Sequence, residues 1–391
     1  MMKNRYYYID FLRVIAILMM FIFHVNMIFV VENDWHIKDV SSSNVLMELN
    51  YWMSAFRMPL LFLVSGFVSA ILLEKMNQRH FFYQRFKRLI IPTVIWTFLL
   101  VAPQIYFERK LQGIDFNYLE FYQTFLEFKW YPNGNFHWLH LWFIPYLFCY
   151  NILSIPLSVY LSKKNVRNKL DFFFNKDYSI IPIIFLAIIP YTFLATRFET
   201  THDLINDWAR HSFFIFFVFI GVLMYKFPII LEQIERKRRF YLRTAFLLIL
   251  FINIIRWNGW EPFDLWDNWI TKPQTYIFIA LINLNAWAWV LTSLGYGKKY
   301  LNKKSNLLAY CNQAVYPFYI LHQTIIVVIG FYVVQTPDNT AFKYVFLLLV
   351  CFSICVLIYH LFIRPNNTMR FLFGMKKTKK TGYNTQYSKK R

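Results

Sequence analysis

Charge is scarce in this chain of 391 residues. Only 16% of it is Asp, Glu, Lys or Arg, where a soluble protein carries about a quarter. That deficit argues against disordered chains and long charged coiled coils. Cysteine is scarcer still: four residues, all within apolar stretches, which speaks against a disulfide scaffold or a zinc cluster. Ten glycines without a three-residue period rule out a collagen-like fibre. Acidic residues number 21 against 42 basic ones. There is no Walker loop, no HExxH and no GxSxG, so ATP hydrolysis, zinc proteolysis and serine hydrolase chemistry lack support. What the chain has in abundance is apolar residues, 58%, with aromatics alone at 21%.

Crossing a bilayer takes roughly 20 mostly apolar helical residues. Ten stretches qualify: about 10–31, 52–73, 89–107, 138–161, 179–195, 211–227, 240–255, 273–294, 313–335 and 342–363. The seventh is the shortest. Backbone amides in lipid must be satisfied within their own segment, and no ten-residue alternating pattern suggests a barrel. The expectation is an all-α polytopic bundle of about ten transmembrane helices. It divides into a transmembrane domain, 1–365, and a basic, disordered tail, 366–391. The stretch 112–137 between spans is expected to hold an interfacial helix near Phe116 to Phe128, and Gly295 and Gly297 to end the eighth span. The first apolar run contains Asp10 and Arg13 and lacks a small-residue cleavage site near Val31, so it reads as a retained span rather than a signal peptide.

A net charge of +21 raises the question of nucleic acid, but its distribution answers against it. With the first terminus cytoplasmic, alternate connecting segments hold 31 of the 42 basic residues, from Lys3 and Arg5 through Lys75–Arg88 to the tail residues Lys376, Lys377, Lys379, Lys380, Lys389, Lys390 and Arg391. Acidic residues run the other way, with 15 of 21 on the opposite side, among them Asp34, Glu48, Glu199, Asp207 and Asp264. This is the positive-inside pattern and places both termini in the cytoplasm. The lipid bilayer is the partner that it implies.

Ionisable residues inside spans are costly and usually face a protein interior or a wet cavity. The first span carries Asp10, Arg13 and His24. At about 100° per residue they share one stripe, with His24 about 16 Å beyond Arg13. An ion pair at the helix end plus a packed histidine would explain each residue singly, though less well all three on one stripe. Following the alternation of the spans, Arg57, His140 and His211 fall in the outer half of the membrane, His322 near its middle, and Arg85 and Arg88 at the inner face. Guanidinium pairs bidentately with phosphate, which suits Arg13, Arg85 and Arg88 to an anionic donor. Imidazole takes a proton from a hydroxyl near neutral pH, which suits His24 to a reactive end. A solute transporter could use the same polar stripe, but no inverted repeat supports it. A receptor or scaffold would have little use for buried Arg and His. Cys351 and Cys355, one turn apart, read as core packing.

These residues resemble a known family. Tyr8-Ile9-Asp10-Phe11-Leu12-Arg13 followed by His24 is similar to the opening of the acyltransferase 3 family. So are, in order, Phe56-Arg57-Met58-Pro59 leading to Ser65-Gly66-Phe67, Arg85-Phe86-Lys87-Arg88, His140-Leu141-Trp142-Phe143, and Tyr316-Pro317-Phe318-Tyr319-Ile320-Leu321-His322-Gln323. The second and fourth pieces look most like the branch of succinyltransferases acting on periplasmic glucans. The resemblance implies a multi-pass inner-membrane enzyme that moves an acetyl or succinyl group from cytoplasmic acyl-CoA to a hydroxyl of an extracytoplasmic glycan, with envelope glycan-assembly proteins as candidate partners. It implies His24 as the catalytic histidine with Arg13 and Asp10 beside it. Arg85 and Arg88 would bind the donor, and Arg57, His140, Trp142, His211 and His322 would shape the acceptor side. No permanently bound cofactor and no metal are implied.

Overall fold

The computed structural model describes residues 5–31 and 35–378. Lys3, Asp34 and the tail from Lys379 to Arg391 lie outside the described residues. Ten principal helices follow one another: α1 Tyr7–Asn26, α2 Asn44–Leu73, α3 Gln78–Leu111, α4 Leu139–Leu161, α5 Ile180–Leu194, α6 Trp208–Lys226, α7 Arg238–Trp257, α8 Pro273–Tyr300, α9 Asn306–Val333 and α10 Thr340–Ile363. Among the described residues, nine are long and apolar enough to cross a membrane. The short one is α5, at 15 residues, rather than the seventh. Pro190 sits inside α5, whereas α7 runs on through Arg239 and Arg243, because arginine is a good helix former and extends the helix past its apolar run. Among the described residues the only β pairing is a single bridge between Trp130 and Phe136.

Two wide turns interrupt α3, at Phe86–Ile90 and Thr97–Val101, and a third lies in α10 at Tyr359–Ile363. Each is followed two residues later by a proline: Pro92, Pro103 and Pro365. A proline lacks the N–H and crowds the carbonyl one turn back, so the preceding helix widens to an i→i+5 pattern and stays continuous. The first wide turn carries Arg88 and directly follows Arg85.

The tightest helix pair is α2 with α6. Both approach through glycine: a Cβ on Gly66 would lie 2.0 Å from the Val218 carbonyl oxygen, and one on Gly221 would lie 2.1 Å from that of Leu63. Small residues let backbones in lipid come this close. Gly295 and Gly297 serve the same purpose within α8, which continues to Tyr300 instead of ending at them. Gly295 faces Ile234 and Arg238, and Gly297 faces Leu12. α1 runs through the middle, against α2, α8 and α9. α7 and α10 are peripheral, with Phe246, Leu247, Leu250, Val345, Leu349 and Leu357 exposed as a lipid-facing band.

The beginning of α1 and the ends of α2, α6 and α8 lie together. The Tyr7 amide bonds Asn302, Lys226 pairs with Glu74, and Lys298 pairs with Glu235. We call this the basic face. The amphipathic helix between spans is present at Tyr118–Phe125, with a complete capping box from Asn117 and Glu120. The first part of the expected tail is folded: Asn366 caps a helix, Asn367–Leu372, in which Arg370 is buried.

Candidate active site

Two cavities enter the bundle from opposite faces. The larger, about 580 Å³, opens at the basic face and is lined by Arg13, Arg85, Arg88, Asn312, Tyr316 and Tyr319 among others, with no acidic residue. The second, about 420 Å³, is lined by Phe23, Asn50, Ser54, Arg57, Trp142, His202 and Arg210 among others. One turn of helix separates them. On α2, Leu61 lines the first while Arg57, Met58 and Pro59 line the second; on α4, Phe143 lines the first and Trp142 the second.

His24, next to Phe23 of the second cavity, and His322, one turn beyond Tyr319 of the first, are paired Nδ1 to Nε2 at 2.8 Å. The rings are near parallel, 5.0 Å apart. The network fixes their protons. His322 Nδ1 lies 2.6 Å from the Tyr319 carbonyl oxygen, which only accepts, so Nδ1–H donates. Neutral His322 then presents Nε2 as an acceptor, and His24 Nδ1–H donates to it. That leaves the His24 Nε2 lone pair free. His322 is 1% exposed, while His24 keeps part of its surface accessible. The residue that can act as a base is thus the one with access, and its buried neighbour orients it.

Around the basic cavity the cations are held but not neutralised. Asp10 is pinned by Arg5 at 2.7 Å and by the Asn312 amide at 2.9 Å, leaving only a 3.7 Å contact to Arg13. Arg85 donates to Ser69, which donates to Asn151. The Nε atoms of Arg13 and Arg85 and the Tyr316 hydroxyl are buried with no hydrogen-bond partner. An uncompensated group of guanidiniums walled by helices suits an anion. Arg57, on the other side, is 8% exposed, lies 3.5 Å over the Phe23 ring, and has Nε and Nη1 buried without partners.

Of the residues singled out in the sequence, His24, His322 and His140 come together. The His140 ring is 5.6 Å from that of His322, and its Nε2–H donates to the Ile320 carbonyl at 3.1 Å. Trp142 reaches the second cavity and packs on His202 at 4.4 Å. His211 stands apart. Its ring is committed to Tyr150 at 2.7 Å and the Leu204 carbonyl at 3.0 Å, and stacks on Tyr146. It therefore fastens the 195–207 connection to α4; like His24, His140 and His322 it lines neither cavity.

Three features escaped the sequence. Glu108, at the end of α3, holds His36 through a short contact to Nδ1 and accepts from Tyr131 at 2.9 Å. His36 Nε2 meets the Gln323 amide at 3.3 Å, and Gln323 donates to Gln104 at 3.1 Å. Gln104 in turn donates to Thr324 at 2.7 Å. This chain buttresses the α9 turn that carries His322. His36 and Glu108 are 72 residues apart, and only the Gln323 of the last motif hinted at a partner. His202, outside the helices, is held down to about 4 by burial and by the nearby Arg210, and His137 is likewise held to about 4, chiefly by burial. The third feature is the tail segment Gly374–Lys376, which lines the basic cavity together with Arg370.

Comparison with known proteins bears on this arrangement. A family described as "Acyltransferase domain", acyltransferase 3, matches residues 6–360. Glucans biosynthesis protein C of Escherichia coli strain K12 is 24% identical over 390 residues, covering 95% of each chain. The same protein of Shigella dysenteriae serotype 1 is equally similar over the same shares. No solved structure matches. The chain therefore belongs to the acyltransferase 3 family and is a multi-pass membrane acyltransferase.

Proposed function

We propose that this enzyme takes an acyl group, acetyl or succinyl, from cytoplasmic acyl-CoA and esterifies a hydroxyl of an extracytoplasmic glycan. The observation that carries this reading is a histidine pair, His24 with His322, next to Phe23 of one cavity and one helical turn from Tyr319 of a second, cationic cavity. The basic face is then cytoplasmic, in keeping with the positive-inside charge pattern, and the membrane is the bacterial inner membrane. The phosphates of the donor sit against Arg13, Arg85 and Arg88, and the thioester is directed toward Tyr319 and His24. The acceptor hydroxyl enters past Arg57 and Trp142.

In the transfer step His24 Nε2 takes the hydroxyl proton as that oxygen attacks the thioester carbonyl. The C–S bond breaks, and the same proton passes to the departing thiolate, giving ester and free coenzyme A. His322 accepts from His24 Nδ1–H throughout and stabilises the transient imidazolium. Arg57 offers unpaired N–H groups to the carbonyl oxygen or to a succinyl carboxylate. The kinship with glucans biosynthesis protein C supports a glucan-type acceptor, handed over alone or with envelope glycan-assembly partners.

The test is transfer of labelled acetyl or succinyl from its coenzyme A thioester to glycan by the purified protein in vesicles, with mass spectrometry of the product. Wild type should add one acyl mass, and His24→Ala should insert and fold but add it at least about a hundredfold more slowly. A solute crossing unmodified, with no acylated product, would refute the reading.

A further inference from the structure

The stretch after the last span reads as a solvated basic end, yet Asn366–Lys376 is built into the protein. We propose that this segment is a clamp that completes the basic cavity and supplies Arg370 and Lys376 as ligands for a phosphate-bearing anion. The proposal rests on the reading that the donor binds there, and adds residues that the family motifs leave out.

The docking is specific. Trp96 of α3 donates its indole N–H to the Leu372 carbonyl at 2.9 Å. The Phe373 ring, 1% exposed, packs on Trp96 at 4.2 Å between centroids. Gly374 then takes a left-handed φ of +64°, and a Cβ there would lie 2.4 Å from the Arg88 carbonyl oxygen and 2.7 Å from the Tyr316 ring. Only glycine allows the chain to turn this close to the wide turn that carries Arg88. The turn sends Gly374, Met375 and Lys376 along the cavity wall.

Arg370 is 6% exposed and its fork is largely fixed. Nε donates to the Lys376 carbonyl at 2.8 Å and Nη1 to the Arg364 carbonyl at 3.1 Å, and the Met375 amide returns a bond to the Arg370 carbonyl at 2.7 Å. The guanidinium thus braces the loop and at the same time borders the cavity. Docking brings Arg370 and Lys376 to a wall already holding Arg13, Arg85 and Arg88, with no carboxylate lining it. Apolar anchoring at Phe373 favours the docked state, and like charges oppose it. An anion with several phosphate oxygens removes the opposition, so binding and clamping reinforce each other.

The experiment uses the purified full-length chain with coenzyme A and, separately, inorganic pyrophosphate as probes. Trypsin cleavage after Arg370 and Lys376 is followed alongside equilibrium binding. Coenzyme A should protect both sites, in His24→Ala as well as in wild type. Arg370→Gln with Lys376→Gln should weaken coenzyme A by roughly tenfold or more and raise the donor KM with little change in kcat. Trp96→Phe, which removes the N–H anchor and part of the ring against Phe373, should weaken protection while leaving Arg370 and Lys376 in place. Unchanged coenzyme A affinity in the double variant, or no protection of the wild-type sites by bound coenzyme A, with affinity lost in Arg85→Gln, would overturn the clamp and leave the donor reading standing. Protection by pyrophosphate without any binding of coenzyme A would do the reverse.

Discussion

His322 offers the sharpest test of the chemistry, because its proposed work is done entirely through His24. His322→Phe keeps an aromatic ring against His140 and Phe318, 5.6 and 6.3 Å away, but deletes the acceptor 2.8 Å from His24 Nδ1. A buried donor left unpaired costs about 1–3 kcal/mol, and the same amount is withdrawn from the imidazolium that forms as His24 takes the proton. Turnover should therefore fall roughly ten- to a hundredfold. His24→Ala removes the base itself, worth about 10²- to 10⁴-fold. Since His322 acts only through His24, the double variant should be no slower than His24→Ala alone. Neither side chain lines the basic cavity, so the donor KM should stay within a factor of about two of wild type. The assay is transfer of labelled acyl groups in vesicles at saturating acceptor. Full turnover by His322→Phe, or losses that multiply in the double variant, would refute the orienting role.

Three further outcomes follow from the same geometry. Arg57→Gln removes a buried guanidinium with two unpaired donors, so the melting temperature should hold or rise while acyl transfer falls at least tenfold and coenzyme A binding is unchanged. Thermal melts beside transfer rates decide it, and a lower melting point with full activity would count against it. Gly66→Ala forces a methyl into a 2.0 Å gap against Val218, so α2 and α6 must separate and stability should drop sharply, seen as a lowered melting temperature in detergent. His137 and His202 are held near 4 in the folded protein against about 6.5 free, so the unfolded connection binds more protons below pH 6.5. The stability that these two contribute is full above that value and is lost as pH falls from 6.5 toward 4. The protection factors of amides in 195–207, each taken against the intrinsic rate at that pH, should fall over that window, and less so in His202→Phe.

The sequence shows some of this fold and misses the rest for identifiable reasons. Spans are visible because lipid demands a local property, a run of apolar residues, and composition reports it. Span lengths are less visible: α5 matches its expected bounds, but α7 extends through its arginines and is not the short span. Gly295 and Gly297 look like helix stops from local preference, yet they are contact points for Leu12, Ile234 and Arg238. A local rule cannot see a neighbour that arrives from elsewhere in the chain.

The site divides along the same line. Asp10, Arg13 and His24 share a helix, and periodicity alone aligns them. His322 is 298 residues from His24, and its role as the orienting acceptor depends on the Tyr319 carbonyl, which no side-chain pattern encodes. His36 and Glu108 look like ordinary residues of the connecting segments until α3 and the turn after α1 are brought together. His211 has the opposite fate: as a histidine at a span end it resembles a site residue, but Tyr150 and the Leu204 carbonyl occupy its ring. What separates His24 from His211 is therefore not residue type or depth but the state of the second nitrogen. In His24 one nitrogen donates and the other is left with a free lone pair, and on the proposed reading that difference is what would let one histidine act as a base while the other holds a loop.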